Sequence, residues 1–204
     1  LVRKLGRNGY DVVVLDDLSS GLASNIEDLP VELKRGSLVD ASDVAEAADE
    51  CTHVVHLGAR GSVPRSLRNP QATHEVNATG TLNVLEACRR NGAHLVFSSS
   101  SSVFGSSSVI PKREDVLTAP LTPYAASKLS AEAYIQAYQH SFGVAALTLR
   151  FFNVYGPWQR PDHDYAAVIP KWIWKAMREE EILINGDGSI TRDFTHVDDV
   201  VEVI

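Results

Sequence analysis

Tyr124 and Lys128 stand four residues apart in a segment, 123–142, whose pattern predicts a helix, so both side chains leave one face about 6 Å apart at Cβ. An ammonium at that separation favours tyrosinate over tyrosine and lowers the phenol pKa toward the working range of a general base. A Tyr and a Lys at this spacing also arise by chance, and as an isolated pair they read equally well as an exposed helix face. Weight comes from the serine-rich tract 98–108, where Ser98, Ser99 and Ser100 close an apolar run. At the carboxyl edge of a parallel sheet, where such folds bind ligands, a serine hydroxyl can pass a proton to or from the tyrosine.

Asp16 ends another apolar run. A carboxylate there can accept from the 2′ and 3′ hydroxyls of an adenosine ribose, and it repels a 2′-phosphate. With Asp17 beside it and no arginine between Asp17 and Arg35, this corner favours NAD over NADP. By itself an Asp after a strand is more often a turn residue or a helix cap.

The elements that must position these groups alternate. Short β-rich runs lie at 11–16, 31–35, 53–57, 94–98 and 144–152, with helical patterns at 42–49, 70–91 and 123–142 between them. That order predicts an α/β fold, a Rossmann-like doubly wound parallel sheet, and near-continuous Val/Leu runs predict strands buried on both faces. Thr122 and Pro123 are placed as N-cap and first residue of the last helix. Residues 1–8 read as the end of a helix closed by Asn8-Gly9, so Gly6 and Gly9 are not a phosphate loop. A dinucleotide fingerprint should follow a first strand and precede the acidic residue of the second by about 20 residues. Counting back from Asp16 puts it before residue 1, and residue 1 is Leu with no leader pattern after it. The expectation is an N-terminally truncated NAD-binding domain over 1–152, lacking its first strand and glycine-rich loop. After Phe152 come a loop at 156–165, a helix near 169–180, a run at 182–184 and a Gly-Asp-Gly turn at 186–188. Residues 153–204 thus read as the start of a smaller C-terminal substrate lobe.

Composition narrows the function classes. With 44% apolar residues among 204 the chain can build a core, and a formal charge of −7 gives nucleic acid or an anionic membrane little to attract. Apolar stretches such as 12–15 and 144–147 fall far short of the roughly 20 residues that span a bilayer. Cys51 and Cys88 lack zinc or CxxC spacing, which suits core thiols in a reducing cytosol. His53 and His56 point to opposite faces of one strand and His196 reads as structural. Trp158, Trp172 and Trp174 could stack a uracil or sugar ring, but two of them lie on a helix and read as core or lobe contacts.

Six motifs succeed one another in a recognisable order: HLGARGSV (56–63), NATGT (77–81), FSSSSSVFG (97–105), PYAASK (123–128), RFFNVYGP (150–157) and TRDFTHVDD (191–199). With them the chain resembles the extended short-chain dehydrogenase/reductases, and within these the NAD-dependent epimerase/dehydratase family, on the side of the nucleotide-sugar 4-epimerases. The resemblance implies a Rossmann fold, tightly held NAD, a nucleotide-diphosphate sugar as substrate, and a homodimer formed through helices 70–91 and 123–142. It implies that Tyr124 is the base, that Lys128 holds the nicotinamide ribose and lowers the tyrosine pKa, and that Ser100 completes the triad. Asn77 matches a helix asparagine beside the cofactor. Leu57, Gly58 and Ala59 match the turn along it, with Gly-Ala in place of the usual Ala-Ala or Ala-Gly. Asp16, Asp17, Ser37, Leu38 and Ser98 join the cofactor set, and Gly36-Ser37 stands where the family often has Gly-Asp, which weakens the adenine hydrogen bond or moves it to the serine. Phe152 falls where the family packs the nicotinamide. Asn153 and Arg192 match substrate residues, the arginine suited to a diphosphate by its fixed charge and forked donors.

Three functions are compatible with these residues. The leading one is epimerisation through a transient 4-keto sugar. A 4,6-dehydratase or decarboxylase shares the fold but carries an acidic residue two places after the catalytic hydroxyl, where this chain has Ser101-Ser102. A catalytically idle nucleotide binder shares the fold too, though it has no use for Ser100, Tyr124 and Lys128 together. Lacking the glycine turn, the 204-residue piece is expected to be a poor enzyme by itself.

Overall fold

A computed structural model of the chain describes residues 1–162, 166–184 and 186–204. His163, Asp164 and Tyr165, the end of the loop expected at 156–165, lie outside the described residues. The chain divides into two compact units, Leu1–Phe151 and Phe152–Ile204.

In the first unit every strand pairing is parallel. β1 (Val13–Asp16) pairs with β2 (Glu32–Arg35), setting Asp16 opposite Arg35. β3 (His53–His56), β4 (His94–Ser100) and β5 (Ala146–Phe151) form a second ladder with β4 in the middle. α1 (Val2–Arg7) precedes β1 and α2 (Ala41–Ala47) lies between β2 and β3. Parallel neighbours need crossovers: α3 (Val63–Arg68), α4 (Pro70–His74) and α5 (Gly80–Asn91) lead from β3 to β4, and α6 (Pro123–Phe142) leads from β4 to β5. The result is a Rossmann-like α/β fold.

Caps explain where the helices begin and end. The Asp40 carboxylate accepts from the N–H groups of Ser42 and Asp43 at the start of α2. Thr122 accepts from the Ala125 N–H at 3.2 Å to open α6, and Gly143, at φ +69°, closes it with a left-handed residue. Residues 70–91 form a helix with a defect, because a π turn at Glu75–Thr79 separates α4 from α5. Such single-turn bulges accompany functional sites, and this one holds the buried Asn77.

The core packs Val44 and Ala48 of α2, Leu85 and Cys88 of α5, Leu95 and Phe97 of β4, and Ala131 and Ile135 of α6. Burial on both faces, expected for all the strands, holds for β4 alone. No residue of β1 or β2 is fully buried, and Val13 and Leu33 are exposed. The reason is topological: β1 and β2 pair only with each other, so both are edge strands, and α2 packs against β1, whereas β4 lies in the middle of its ladder with α5 and α6 against it.

In the second unit β6 (Val154–Tyr155) pairs in parallel with β7 (Thr195–His196). α7 (Val168–Met177) and α8 (Val197–Val203) complete it. The run at 182–184 forms no strand. His196 caps α8, its Nδ1 accepting from the Asp198 N–H at 3.3 Å. The tryptophans are not core residues: Trp158, Trp172 and Trp174 are all exposed, and Trp158 and Trp174 line a cavity of about 410 Å³ with Tyr155, Pro157, Ile169 and Met177. An indole at a cavity wall keeps one face open, which periodicity on a helix cannot distinguish from a core position. Among the described residues no helix is long and apolar enough to cross a membrane.

Gly105 ends the 3₁₀ turn Ser101–Phe104 that follows β4, at φ +48°. A Cβ there would overlap the Ala119 carbonyl, and Ala119 is fixed because its N–H donates to the Val103 carbonyl at 3.0 Å. Gly105→Ala should therefore destabilise the fold by about 1–3 kcal/mol. A denaturant midpoint unchanged from wild type would contradict this.

Candidate active site

The carboxyl end of β4 meets the buried face of α6. Along that face Tyr124, Lys128 and Glu132 follow at intervals of one turn, and each meets a different serine of β4. Lys128, 2% exposed, donates from Nζ to the Ser98 carbonyl at 2.9 Å and lies 4.8 Å from the centre of the Phe97 ring. Burial pulls its pKa down to about 8. Behind it His56 is fully enclosed, and burial, helped by the Lys128 charge, takes its pKa down to about 3 and keeps it neutral. The Ser100 side chain acts on the Tyr124 phenol as a hydrogen-bonding neighbour that favours its ionised form.

The phenol differs from the expectation drawn from spacing. Its pKa is raised above the ordinary tyrosine value, because burial outweighs the opposing hydrogen bond from Ser100. The lysine does not lower it here, since the ammonium is directed to the Ser98 carbonyl.

Ser100 is also the N-cap of the 3₁₀ turn. Its Oγ accepts from the Ser102 N–H at 3.2 Å and from the Ser102 hydroxyl at 2.8 Å. Ser99, buried between its neighbours, donates to Glu132 at 2.5 Å. Glu132 in turn receives Arg150 of β5 in a forked pair, Nη2 to Oε2 at 2.7 Å and Nε to Oε1 at 3.0 Å, and the guanidinium lies 4.9 Å from the centre of the Phe104 ring. The sequence places Ser99 at the sheet edge with Ser98 and Ser100, but its partner Glu132 does not stand out there. A signal was present in the Glu four residues after Lys128, which the helix period places on the same face.

Asn77, at the π turn, ties the β3–α3 loop to α6. Its Oδ1 accepts from the Arg60 N–H at 2.7 Å and its Nδ2 donates to Ser127 Oγ at 2.9 Å, while Ser127 donates to the Tyr124 carbonyl at 2.8 Å. Thr81 donates to the Asn77 carbonyl at 2.6 Å, so its remaining bond, 3.0 Å to His56 Nε2, takes the imidazole proton.

The other expected cofactor residues gather at two places. Asp16 Oδ1 accepts from the Leu18 N–H at 2.7 Å, and Asp17 likewise from Ser19 at 2.8 Å. Gly36 donates to the Asp16 carbonyl, which brings Ser37 to the same corner. There the Ser37 N–H donates to Asp43 Oδ2 at 2.8 Å, a carboxylate that sequence reading missed because it arrives from the first turn of α2. Leu38 fills the space beside Gly58 and Gly80, where added Cβ atoms would come within 2.7 Å and 2.9 Å of it. Leu57 stands exposed just past β3 with Ala59 half-buried beyond it.

Phe152, Asn153 and Arg192 belong to the second unit. Asn153, at φ +37°, donates from Nδ2 to the Asp193 carbonyl at 2.7 Å, which brings it beside Arg192. Arg192 is exposed, with Nη1 donating to the Thr191 carbonyl at 2.8 Å.

The depressed Lys128 pKa has a stability consequence. Below about pH 8 the amine is charged in folded and unfolded chains and the fold bears the burial penalty; above its ordinary value of 10.5 it is neutral in both. Between these limits the unfolded chain binds more protons, so stability at this site rises with pH. Relative to Lys128→Met, wild type should gain in denaturant midpoint from about pH 7 to about pH 10; a flat difference would show that the buried ammonium carries no penalty.

Comparison with known proteins fits this geometry. The sequence profile of the NAD dependent epimerase/dehydratase family matches residues 1–204. A putative UDP-glucose 4-epimerase of Methanocaldococcus jannaschii is 36% identical over 99% of this chain and 67% of its own length. The UDP-glucose 4-epimerase of Thermotoga maritima, solved with UDP-glucose, superposes with a TM-score of 0.94 at 34% identity, over 98% of this chain and 66% of that one. The Thermus thermophilus UDP-glucose 4-epimerase, solved with NAD, superposes with a TM-score of 0.89 at 36% identity, over 98% of this chain and 67% of that one. The chain spans about two thirds of the length of each of these relatives. Matched from its first residue to its last by the family's profile, it belongs to the NAD-dependent epimerase/dehydratase family.

Proposed function

We propose that the chain carries the catalytic centre of an NAD-dependent nucleotide-sugar 4-epimerase, with Tyr124 as the base. The observation that carries this reading is that Lys128, buried and bonded to the Ser98 carbonyl at 2.9 Å, lies one helical turn from Tyr124, whose phenol the Ser100 side chain favours in its ionised form.

The residues present fit the cofactor. Asp16 offers a carboxylate at a strand end, and the backbone runs so close to it that a Cβ on Gly21 would lie 3.3 Å from Oδ2. This is the acceptor and the slim wall that a ribose diol needs, with Asp17, Ser37 and Leu38 around it. Leu57, Gly58, Ala59, Asn77, Ser98 and Lys128 would hold the other half, and Phe152 would pack the nicotinamide. NAD, when bound, supplies the oxidation of the sugar carbon and its reversal, so the reaction has no net redox change. Tyr124 takes the proton of the sugar 4-hydroxyl as that carbon becomes a ketone. Ser100 donates to the phenolate oxygen as its charge develops. After the 4-keto sugar turns its other face, Tyr124 returns the proton to the same oxygen. Asn153 and Arg192 would hold the substrate diphosphate. The elimination of a dehydratase needs a carboxylate two places after the catalytic hydroxyl, and Ser102 is instead a neutral donor to Ser100. Pairing of α4–α5 and α6 with a second copy would make the homodimer, and two free cysteines suit a cytosolic enzyme.

Asp16 should make the enzyme prefer NAD to NADP, since a 2′-phosphate would meet its charge. Affinities measured by fluorescence quenching should show this preference narrowing in Asp16→Gly; equal or tighter NADP binding by wild type counts against the assignment. Tyr124→Phe should keep cofactor affinity and lose at least about 10²-fold in epimerisation rate. Near-wild-type turnover of UDP-glucose by that variant would remove Tyr124 from the role of base.

A further inference from the structure

Ser100 Oγ has two lone pairs and one proton. One lone pair takes the Ser102 N–H at 3.2 Å, a donor whose direction is fixed. The other takes the Ser102 hydroxyl at 2.8 Å. With both lone pairs engaged, the Ser100 proton is left for the Tyr124 phenol, whose ionised form the Ser100 side chain favours. We propose that Ser102 is a positioning residue: its backbone and hydroxyl donors together commit the Ser100 proton to Tyr124, making Ser100 a pure donor to the tyrosinate.

The proposal rests on the reading of Tyr124 as the base. Its geometry is pre-set by packing. Ser102 sits in a 3₁₀ turn whose next two residues, Val103 and Phe104, are fully buried. That turn is held from the far side by the Ala119 N–H on the Val103 carbonyl at 3.0 Å. The donors therefore do not have to be organised when the phenol ionises. The chemistry at position 102 must be that of a donor. A carboxylate there has only acceptors, and it would draw the Ser100 proton to itself and away from the tyrosine. A serine or threonine hydroxyl is compatible with a base at 124, and an acidic side chain redirects the triad.

The electrostatic surroundings leave this hydrogen bond as the adjustable influence. Burial and Ser100 act on the phenol. Lys128, on the same helix, is bonded to the Ser98 carbonyl. His56 of β3, beside Lys128, is neutral. Glu132 of α6 and Arg150 of β5 are paired with each other. Arg65 and Arg68 of α3, His74 of α4, Glu75 of the π turn, Glu86, Cys88, Arg89 and Arg90 of α5 and His94 of β4 complete the ionisable groups on the elements packed against α6, and none of them enters the balance at the phenol.

The test is a spectrophotometric titration of the Tyr124 phenol in the NAD-loaded whole enzyme, taken as the difference from Tyr124→Phe and repeated in Ser102→Ala, Ser102→Cys and Ser102→Thr. Loss of one neutral hydrogen bond should raise the phenol pKa by about half to one unit in the Ala and Cys variants, about three- to tenfold less tyrosinate below it. The acid limb of the kcat profile should move by the same amount with KM unchanged. Ser102→Thr should restore the wild-type value. Cysteine keeps the size and lacks a strong donor, so a folded Cys variant reports even where Ala unfolds. An unshifted phenol in a folded Ala or Cys variant overturns the proposal. Turnover by Tyr124→Phe would overturn the assignment of the base instead, and the phenol titration still decides whether Ser102 directs the Ser100 proton.

Discussion

A carboxylate that is only 4% exposed must be matched by charge and by hydrogen bonds, because an unpaired buried charge is among the most costly features a fold can carry. Glu132 is matched by Arg150 from β5 and Ser99 from β4, so the three elements can meet in one register only. The rest of the site depends on this. One turn back along α6 Lys128 must face the Ser98 carbonyl, and two turns back Tyr124 must face Ser100. A pair of this kind contributes little net stability against an apolar equivalent. Its contribution here is registration of a helix on a strand, to within the length of a hydrogen bond.

The site is also arranged to keep charge scarce. His56 is held neutral, the Lys128 amine is weakened, and the phenol is raised above its free value. Each of these has burial as its leading cause, and only at the phenol does a hydroxyl, that of Ser100, oppose it. In a medium of low polarity a single hydroxyl donor then has more leverage on the phenol than it would in water. A base whose proton affinity is set by one serine can be tuned by the groups that fix that serine's proton.

Much of this was legible in the sequence where local chemistry decides. Thr122 and Pro123 mark the start of α6 to the residue, because caps act within a few positions. In the first unit the Val/Leu runs located each strand to within a few residues of its observed end, whereas the short β6 and β7 of the second unit were not expected. Legibility failed where a distant partner decides. The π turn at Asn77 answers to Arg60 and Ser127, and the exposure of β1 and β2 depends on which strands pair. The tryptophans of the second unit are governed by a cavity wall. Lys128 was read by its distance from Tyr124 along the helix, while the direction of its ammonium is set by a carbonyl thirty residues away.

The tract Ser98 to Ser102 changes how chemistry can be read from composition. Five identical letters carry almost no compositional information, and a filter for simple sequence would discard them. In three dimensions they are not interchangeable. One lends its carbonyl to an amine, the next seals a buried ion pair, the third faces the tyrosine, the fourth begins a turn, and the fifth aims the third. Monotony along the chain here conceals a dense local code, written in backbone direction and lone-pair occupancy. Two homologous chains could match across all five positions and still differ in chemistry through the neighbours those serines address.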